Sequence, residues 1–501
     1  MRPRRHLLLA VFLAATLPSG QPARTDEPKL APPLPPREFR GVWIATVANI
    51  DWPSKKGLST KQQQAELAAL LDKAAALKLN AVIFQVRPMA DALYESALEP
   101  WSEFLTGALG KAPAPWYDPL EFVVRAAHAR GLELHAWFNP YRARHPSATA
   151  PIPADHLIRR RPDLAKPYGT HHWLNPTHPE VQDHSLNVML DVVRRYDIDG
   201  VHIDDYFYPY KEKDAAGAVI PFPDDDTWDA YRKGSGQLGR DDWRRAAVNQ
   251  FVERMYREVK QAKPWVKVGI SPFGIWRPGH PPGIAGLDQY AELYADAKLW
   301  LNEGWCDYFS PQLYWPIRQE KQAYGKLLAW WTSENKKGRH LWPGNYTSRV
   351  TGMEKGWPAS EIAEQIAVTR AQRGAGGNVH FSMKALLRST GGVAEALTPV
   401  YAERALVPAT TWAAGKPPAP PRLQWQGKAE GSVLRMQPGD AALVRLYVIG
   451  QRVQGKWSNR IEPAAADGSA AVGFERQPQE LAVTAIDRNG TASKSTLIVR
   501  H

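Results

Sequence analysis

The sequence predicts an α/β protein, a (β/α)8 TIM barrel followed by a small all-β sandwich of the fibronectin type III kind, and three observations carry that prediction. Eight apolar, strand-like runs alternate with amphipathic helical stretches, the rhythm of βα units. No glycine-rich phosphate loop follows the first run, where a doubly wound sheet would carry one; Thr46-Val-Ala-Asn-Ile-Asp-Trp-Pro53 stands there instead. After a second proline tether, residues 416–421, the period changes to short alternating runs punctuated by turn residues such as Asp487-Arg-Asn-Gly490.

The elements follow in order. Residues 1–23 carry Arg2, Arg4 and Arg5, an apolar run from Leu7 to Leu17 and the break Pro18-Ser19-Gly20. This pattern is that of a secretory signal peptide, and the run is shorter than the ~20 residues a bilayer span needs. No cysteine follows it, so no lipid anchor is expected after cleavage. Residues 24–36 form a first proline-rich tether. The barrel is expected over 37–405, with strands at 39–47, 81–88, 132–140, 200–209, 266–274, 306–315, 340–347 and 378–384. Helices are expected at 60–79 behind a Ser59 or Thr60 cap, at 119–130 ending on Gly131, and at 180–196, 243–263 and 360–373. The sandwich is expected over 417–501, with strands at 422–426, 432–436, 442–449, 453–458, 481–487 and 495–499; without cysteines, it resembles fibronectin rather than antibody domains. It carries no visible chemistry, so a spacer or docking module is its default reading.

Composition narrows the function. Hydrophobic residues make up 44% and charged residues 23%, an ordinary globular balance. The net charge of +12 loses three units with the leader arginines, and the rest is spread in short mixed runs. No basic block interleaved with aromatics marks a nucleic-acid surface. The one cysteine, Cys306, excludes a disulfide framework and a cysteine-based zinc cluster, and its place at the start of an expected buried strand makes it a core residue. His135 and His202 lie on adjacent strands without a third ligand, so neither a metal nor another cofactor is expected. A Ser-His-Asp order and a Gly-x-Ser-x-Gly elbow are both missing.

In a barrel of this type the chemistry sits where the strands end. Strand 4 ends Asp199-Gly-Val-His-Ile-Asp-Asp-Tyr206, which puts adjacent acids at the mouth of an apolar strand. Side chains alternate, so His202, Asp204 and Tyr206 share a face, with Asp205 on its shoulder. Unpaired buried carboxylates are costly, which marks Asp204 and Asp205 as catalytic candidates. The other strand ends supply Arg87, Asn139, Trp276, Gln312, Tyr314 and Trp315, and these, with His202 and Tyr206, are the substrate-binding candidates. Trp137, Tyr208 and Tyr346 add to an aromatic and polar mouth suited to sugars, whose rings stack on flat apolar faces while amides and carboxylates take the hydroxyls.

Six segments together, Arg40-Gly-Val-Trp-Ile-Ala-Thr-Val47, Phe84-Gln-Val-Arg-Pro88, His135-Ala-Trp-Phe-Asn-Pro-Tyr-Arg142, Asp199 to Pro209, Gly269 to Arg277 and Ser310 to Pro316, resemble the family 10-like glycosyl hydrolases over about residues 37–400. The resemblance implies an exported bacterial TIM barrel that hydrolyses the glycan strands of peptidoglycan, notably strands stripped of their peptides. His202 stands where that family often has glutamine, and the loop 278–286 is richer in proline than is usual there.

Two carboxyls normally cleave a glycosidic bond. Asp204 is one. Asp-Gly-Val-His-Ile-Asp204 also resembles the strand-4 nucleophile motif of amylase-like barrels, but strand 5 ends Ser-Pro-Phe-Gly274 and lacks their glutamate. The second carboxyl could be Asp205, Asp91, Glu95 or Glu303, or an N-acetylated substrate could supply its own nucleophile. A non-catalytic glycan-binding protein and an exported α-glucan hydrolase are the rival readings. The expected partner is a glycan, the expected location periplasmic or extracellular.

Overall fold

The computed structural model describes residues 34–499 except 414, 428, 429, 442 and 454; the expected leader and nearly all of the first tether lie outside the described residues. The barrel strands are β1 (Phe39–Ile44), β2 (Ala81–Arg87), β3 (Glu133–Phe138), β4 (Gly200–Ile203), β5 (Lys267–Ile270), β6 (Tyr308–Phe309), β7, in two pieces (His340–Leu341 and Gly344–Asn345), and β8 (Gly377–His380). All pair in parallel. The first piece of β7 bonds to β6 and the second to β8, which closes the sheet into a barrel. Pro343, with no N–H to donate, lies at the break. Strands β1 and β2 are buried at every position, as expected where a parallel sheet is covered on both faces.

The five expected helices appear as Thr60–Ala76, Pro119–His128, Pro179–Arg195, Arg240–Ala262 and Ala359–Ala371. Ser59 and Gln62 close a capping box on the first, and Asp118 caps the second through the Glu121 amide. Ala297–Glu303 and Tyr324–Glu334 complete the seven crossovers, and Val393–Val400 follows β8 as the last barrel helix. Cys306 is buried, as expected.

Two glycines shape the barrel interior. A Cβ on Gly269 would stand 1.8 Å from the Tyr308 ring, and one on Gly200 would stand 2.7 Å from His135. Large polar rings can therefore fill the barrel only because their neighbours have no side chain. The result is a continuous chain of hydrogen bonds. The Trp43 indole donates to His202 Nε2 (3.1 Å), His202 Nδ1 meets the Tyr308 hydroxyl (3.0 Å), which meets His135 Nδ1 (2.8 Å), and His135 Nε2 meets Glu133 (3.0 Å). Lys267 caps the chain with two bonds to Glu133, at 2.9 and 3.1 Å.

Strands expected at 200–209 and 306–315 stop at Ile203 and Phe309. The segments beyond contain Pro209, Pro311 and Pro316, which cannot extend a ladder, so the chemistry-bearing residues sit on loops. The loop after β3 also folds a small antiparallel flap, Arg142–Arg144, Ala165–Tyr168 and His171–Leu174, that sequence periodicity did not announce.

The C-terminal region is a β-sandwich. One sheet holds Arg422–Gln426, Glu430–Gln437 and Ala470–Arg476; the other holds Lys456–Pro463, Val444–Val453, Glu480–Asp487 and Thr496–Val499. Leu434, Met436, Tyr447, Ile449, Val472 and Val483 fill the space between them. Strand Ala470–Arg476 was not expected, because its two alanines and glycine are weak strand formers. The sandwich is seated on the base of the barrel, where Leu406, Val448, Ile461 and Ile486 form a joint apolar cluster. Around it Arg445 and Arg488 reach Asp199 (3.4 and 3.9 Å), and Arg488 reaches Asp197 (2.7 Å).

Candidate active site

The loops at the C-terminal ends of the strands enclose a cleft of about 390 Å³. Asp204 and Asp205 follow the last residue of β4 and form its acidic wall. Both are more than nine-tenths buried. Asn139, at the end of β3, donates to Asp204 at 3.4 Å and is itself fixed by accepting from the Arg142 amide at 2.8 Å. Asp205 accepts a short hydrogen bond from the Tyr210 hydroxyl and another from Gln312, whose amide also donates to the Ser271 carbonyl at 3.0 Å. The Arg142 guanidinium lies 4.3 Å from the Tyr206 ring centre and lines the same cleft.

Burial and the neighbouring Asp205 push the Asp204 carboxyl up to about 7, against the pull of Arg142. Burial also raises Asp205, opposed by its bonds to Tyr210 and Gln312. Two adjacent acids in one low-dielectric wall do not both ionise readily, so near neutral pH the pair shares a proton. The hydrogen bond that Asp205 accepts from Tyr210 favours its charged form, which leaves Asp204 the more easily protonated of the two. Such a pair can give a proton and hold a cation-like centre at the same time.

The facing wall is aromatic. Strand β8 lies diametrically across the barrel from β4, with β1 and β7 beside it. These strands and the β6 loop bring Trp43, Tyr314, Tyr346 and Phe381 to the cleft, with Tyr314 and Tyr346 stacked at 5.0 Å. Between the walls, Gln85 Nε2, Trp137 Nε1, Arg142 Nε and Ser271 Oγ are buried with no hydrogen-bond partner among the described residues, and all four residues line the cleft. Donors left open in this way suit a ligand rich in acceptors.

The structure gathers Asp204, Asp205, Tyr206, Gln312 and Tyr314 in the cleft, as expected. Others are moved away from substrate. Arg87 is fully buried in a two-pronged ion pair with Glu99 and donates to the Asn139 carbonyl; it supports β3 and does not line the cleft. His202 lies under the floor, held neutral because Nε2 accepts from Trp43, and burial lowers its pKa well below the usual range. Trp276 bonds Asp296 at 3.1 Å and stacks on Trp330, outside the cleft. Trp315 stands one layer back, edge-on to Phe273 at 5.5 Å. Among the other acids considered, Asp91 is buried against Ser102 and the Met89 amide and pushed up to about 7 by burial, while Glu303 ends a helix that precedes β6. Neither lines the cleft, nor does Glu95.

Sequence reasoning missed Arg142, Tyr210, Gln85, Ser271 and Phe381 as cleft residues. Arg142 and Gln85 sit inside motifs already singled out, but Gln85 shows an inward carboxamide only once its Oε1 is seen accepting from the Thr46 and Val47 amides, both at 2.9 Å. Tyr210 lies on a loop whose path no periodicity reveals.

Known proteins agree with this architecture. The family model described as glycosyl hydrolase-like 10 matches residues 38–357. The chain is 44% identical over 397 residues to the glycosyl hydrolase YngK of Bacillus subtilis, covering 77% of this chain and 76% of that one. It is 34% identical over 364 residues to the glycosyl hydrolase DigH of Escherichia coli K12, covering 68% and 80%. The catalytic domain of the Paenibacillus polymyxa β-amylase superposes with a TM-score of 0.50 at 11% identity, over 76% of this chain and all of that one, a likeness of fold. An acidic pair on β4 facing an aromatic wall, the family match and these relatives agree: the chain belongs to the glycosyl hydrolase-like 10 family and is a glycoside hydrolase.

Proposed function

We propose that this enzyme is exported and cleaves glycosidic bonds in the glycan strands of peptidoglycan, preferentially strands stripped of stem peptides, with Asp204 as proton donor and Asp205 as the anionic partner. The observation that carries the reading is the proton-sharing pair at the wall of a cleft whose other wall is aromatic. Three features support the polymer. The leader over residues 1–23 fits export. The net positive charge that remains once the leader's three arginines are gone and the cleft-lining Arg142 suit a strand that carries a lactyl carboxylate on every second sugar. The open donors match its acetamido and ether oxygens. No helix among the described residues is long and apolar enough to cross a membrane.

The test is product analysis by mass spectrometry. The chain without residues 1–23 and its Asp204→Asn variant are incubated with amidase-treated peptidoglycan, with intact sacculi and with starch. New N-acetylated oligosaccharides from the denuded strands, at least ~100-fold fewer with the variant, are expected. Starch cleavage without strand cleavage would replace the substrate. Full activity in a normally folded Asp204→Asn variant would remove Asp204 from the chemistry.

A further inference from the structure

Asp204 and Asp205 are the only carboxylates lining the cleft among the described residues, and they are consecutive in the chain. A two-carboxylate glycosidase needs its acids on either side of the scissile bond, about 5–5.5 Å apart for retention and about 6.5–9.5 Å for inversion, the second placed to attack C1 or a water from the opposite face. Here both acids leave the same strand, and across the barrel stand Trp43, Tyr346 and Phe381. The nearby acids are already committed elsewhere. Asp51 accepts from the Ala45 amide (2.8 Å), the Ser382 hydroxyl (2.7 Å) and the Lys384 amide (2.7 Å). Glu99 holds Arg87 and His184, and Asp296 holds Trp276. Glu212 is tied to His171 at 3.1 Å on the loop that follows β4, the same side of the barrel as the pair.

From this one-sided arrangement we infer that the attacking atom belongs to the substrate: the carbonyl oxygen of the 2-acetamido group on the sugar being cleaved. The inference rests on the assignment of Asp204 and Asp205 as the reacting pair. Asp204 gives its proton to the glycosidic oxygen as the C1–O bond breaks, and the leaving sugar departs with a hydroxyl. The acetamido oxygen bonds to C1 in the same step, and Asp205 takes the amide proton, leaving a neutral oxazoline. Water then attacks C1 with Asp204, now a carboxylate, accepting its proton. The oxazoline oxygen, formerly the acetamido carbonyl, leaves C1, Asp205 returns its proton to nitrogen, and the configuration at C1 is retained. The clamp on Asp205 by Tyr210 and Gln312 suits this division, because an anion that must meet the amide N–H gains from being fixed in place. The enzyme would therefore require a 2-acetamido sugar on the glycone side of the bond, a demand on the substrate's chemistry that cleft shape alone would not impose.

The experiment uses denuded strands that have been N-deacetylated and then re-acylated with acetyl, fluoroacetyl or trifluoroacetyl groups. Fluorine weakens the carbonyl as a nucleophile and changes size little. A fall in kcat of ~100-fold or more from acetyl to trifluoroacetyl, with KM within a few-fold, is expected, together with retained configuration in the first-formed product by NMR. A flat kcat across the series, or an inverted product, overturns the inference and leaves the proposed function standing. A Glu212→Gln variant that loses activity and regains it with added azide, giving an azido sugar, would also overturn it by locating a protein nucleophile or base. Failure to cleave even the re-acetylated strands overturns the proposed function and the inference with it.

Discussion

The mouth and the base of the barrel both bury carboxylates, and they treat them in opposite ways. At the base Asp199 is surrounded by His128 at 2.8 Å and by Arg445 and Arg488 from the sandwich, and those charges hold its pKa well below the usual range despite burial. Glu133, also lowered, is bound by Lys267 and His135. At the mouth Asp204 has a neighbouring acid where Asp199 has cations, and its pKa goes up to about 7. The same physics, burial plus the nearest charge, thus produces an anion that fastens two domains and an acid with a proton to give.

Exchange of one carboxylate for an amide at each end is the sharpest way to break this comparison. Asp199→Asn should leave Arg445 and Arg488 short of a counter-charge and lower stability by about 3 kcal/mol. Its kcat on denuded strands should stay close to wild type, because the cleft lies at the other end of the barrel. Urea unfolding and steady-state kinetics on the same preparation check both halves. Asp204→Asn should do the reverse, with activity lost and stability kept or raised.

The second prediction concerns pH. The folded pKa of Asp204, about 7, lies above its ordinary value of 3.8. Its contribution to stability is thus fully present below 3.8 and lost as pH rises through about 7. Asp199 has the opposite sign: its contribution is present above 3.8 and lost as pH falls toward its depressed folded value. Wild-type Tm should therefore decline relative to Asp204→Asn between pH 4 and 7, while the deficit of Asp199→Asn should shrink only below about pH 4. The rate on denuded strands should fall above pH 7 as the acid deprotonates. A Tm difference between wild type and Asp204→Asn that stays flat across that range would remove the contrast between the two ends.

The smallest effect is expected at Ser271. Its hydroxyl is buried and unpartnered among the described residues, so Ser271→Ala should cost no stability. If it awaits a substrate acceptor, the loss of one hydrogen bond should raise KM by roughly 5- to 10-fold with Tm unchanged. An unchanged KM would make it a packing residue.

Much of the barrel was legible because each βα unit leaves two local signals, an apolar run and a capped amphipathic helix, and neither needs knowledge of distant residues. The acidic pair was legible for a related reason: two aspartates ending an apolar strand are conspicuous in one dimension. The roles of Arg87 and His202 were not. Arg87 ends a strand at the right level, and only the fold shows Glu99 folding back to neutralise it. His202 has the inward phase of a cleft residue, but it lies one layer too deep, beneath the Trp43 indole. Phase along a strand tells which way a side chain faces; depth within a barrel depends on the size of its neighbours, here on Gly200 and Gly269. Tyr210 depends on the path of a long loop, which leaves no period to read.

The seating of the sandwich has a practical side. The chain enters the barrel beside the point where it leaves for the sandwich: the Leu406 amide donates to the Pro36 carbonyl at 2.9 Å and the Glu38 amide to the Leu406 carbonyl at 3.0 Å. Both passages occur at the pole opposite the cleft. A bead, a dye or a fused protein attached ahead of Pro36 would hang from the back of the molecule, leaving the catalytic face turned outward toward whatever polymer is laid in front of it.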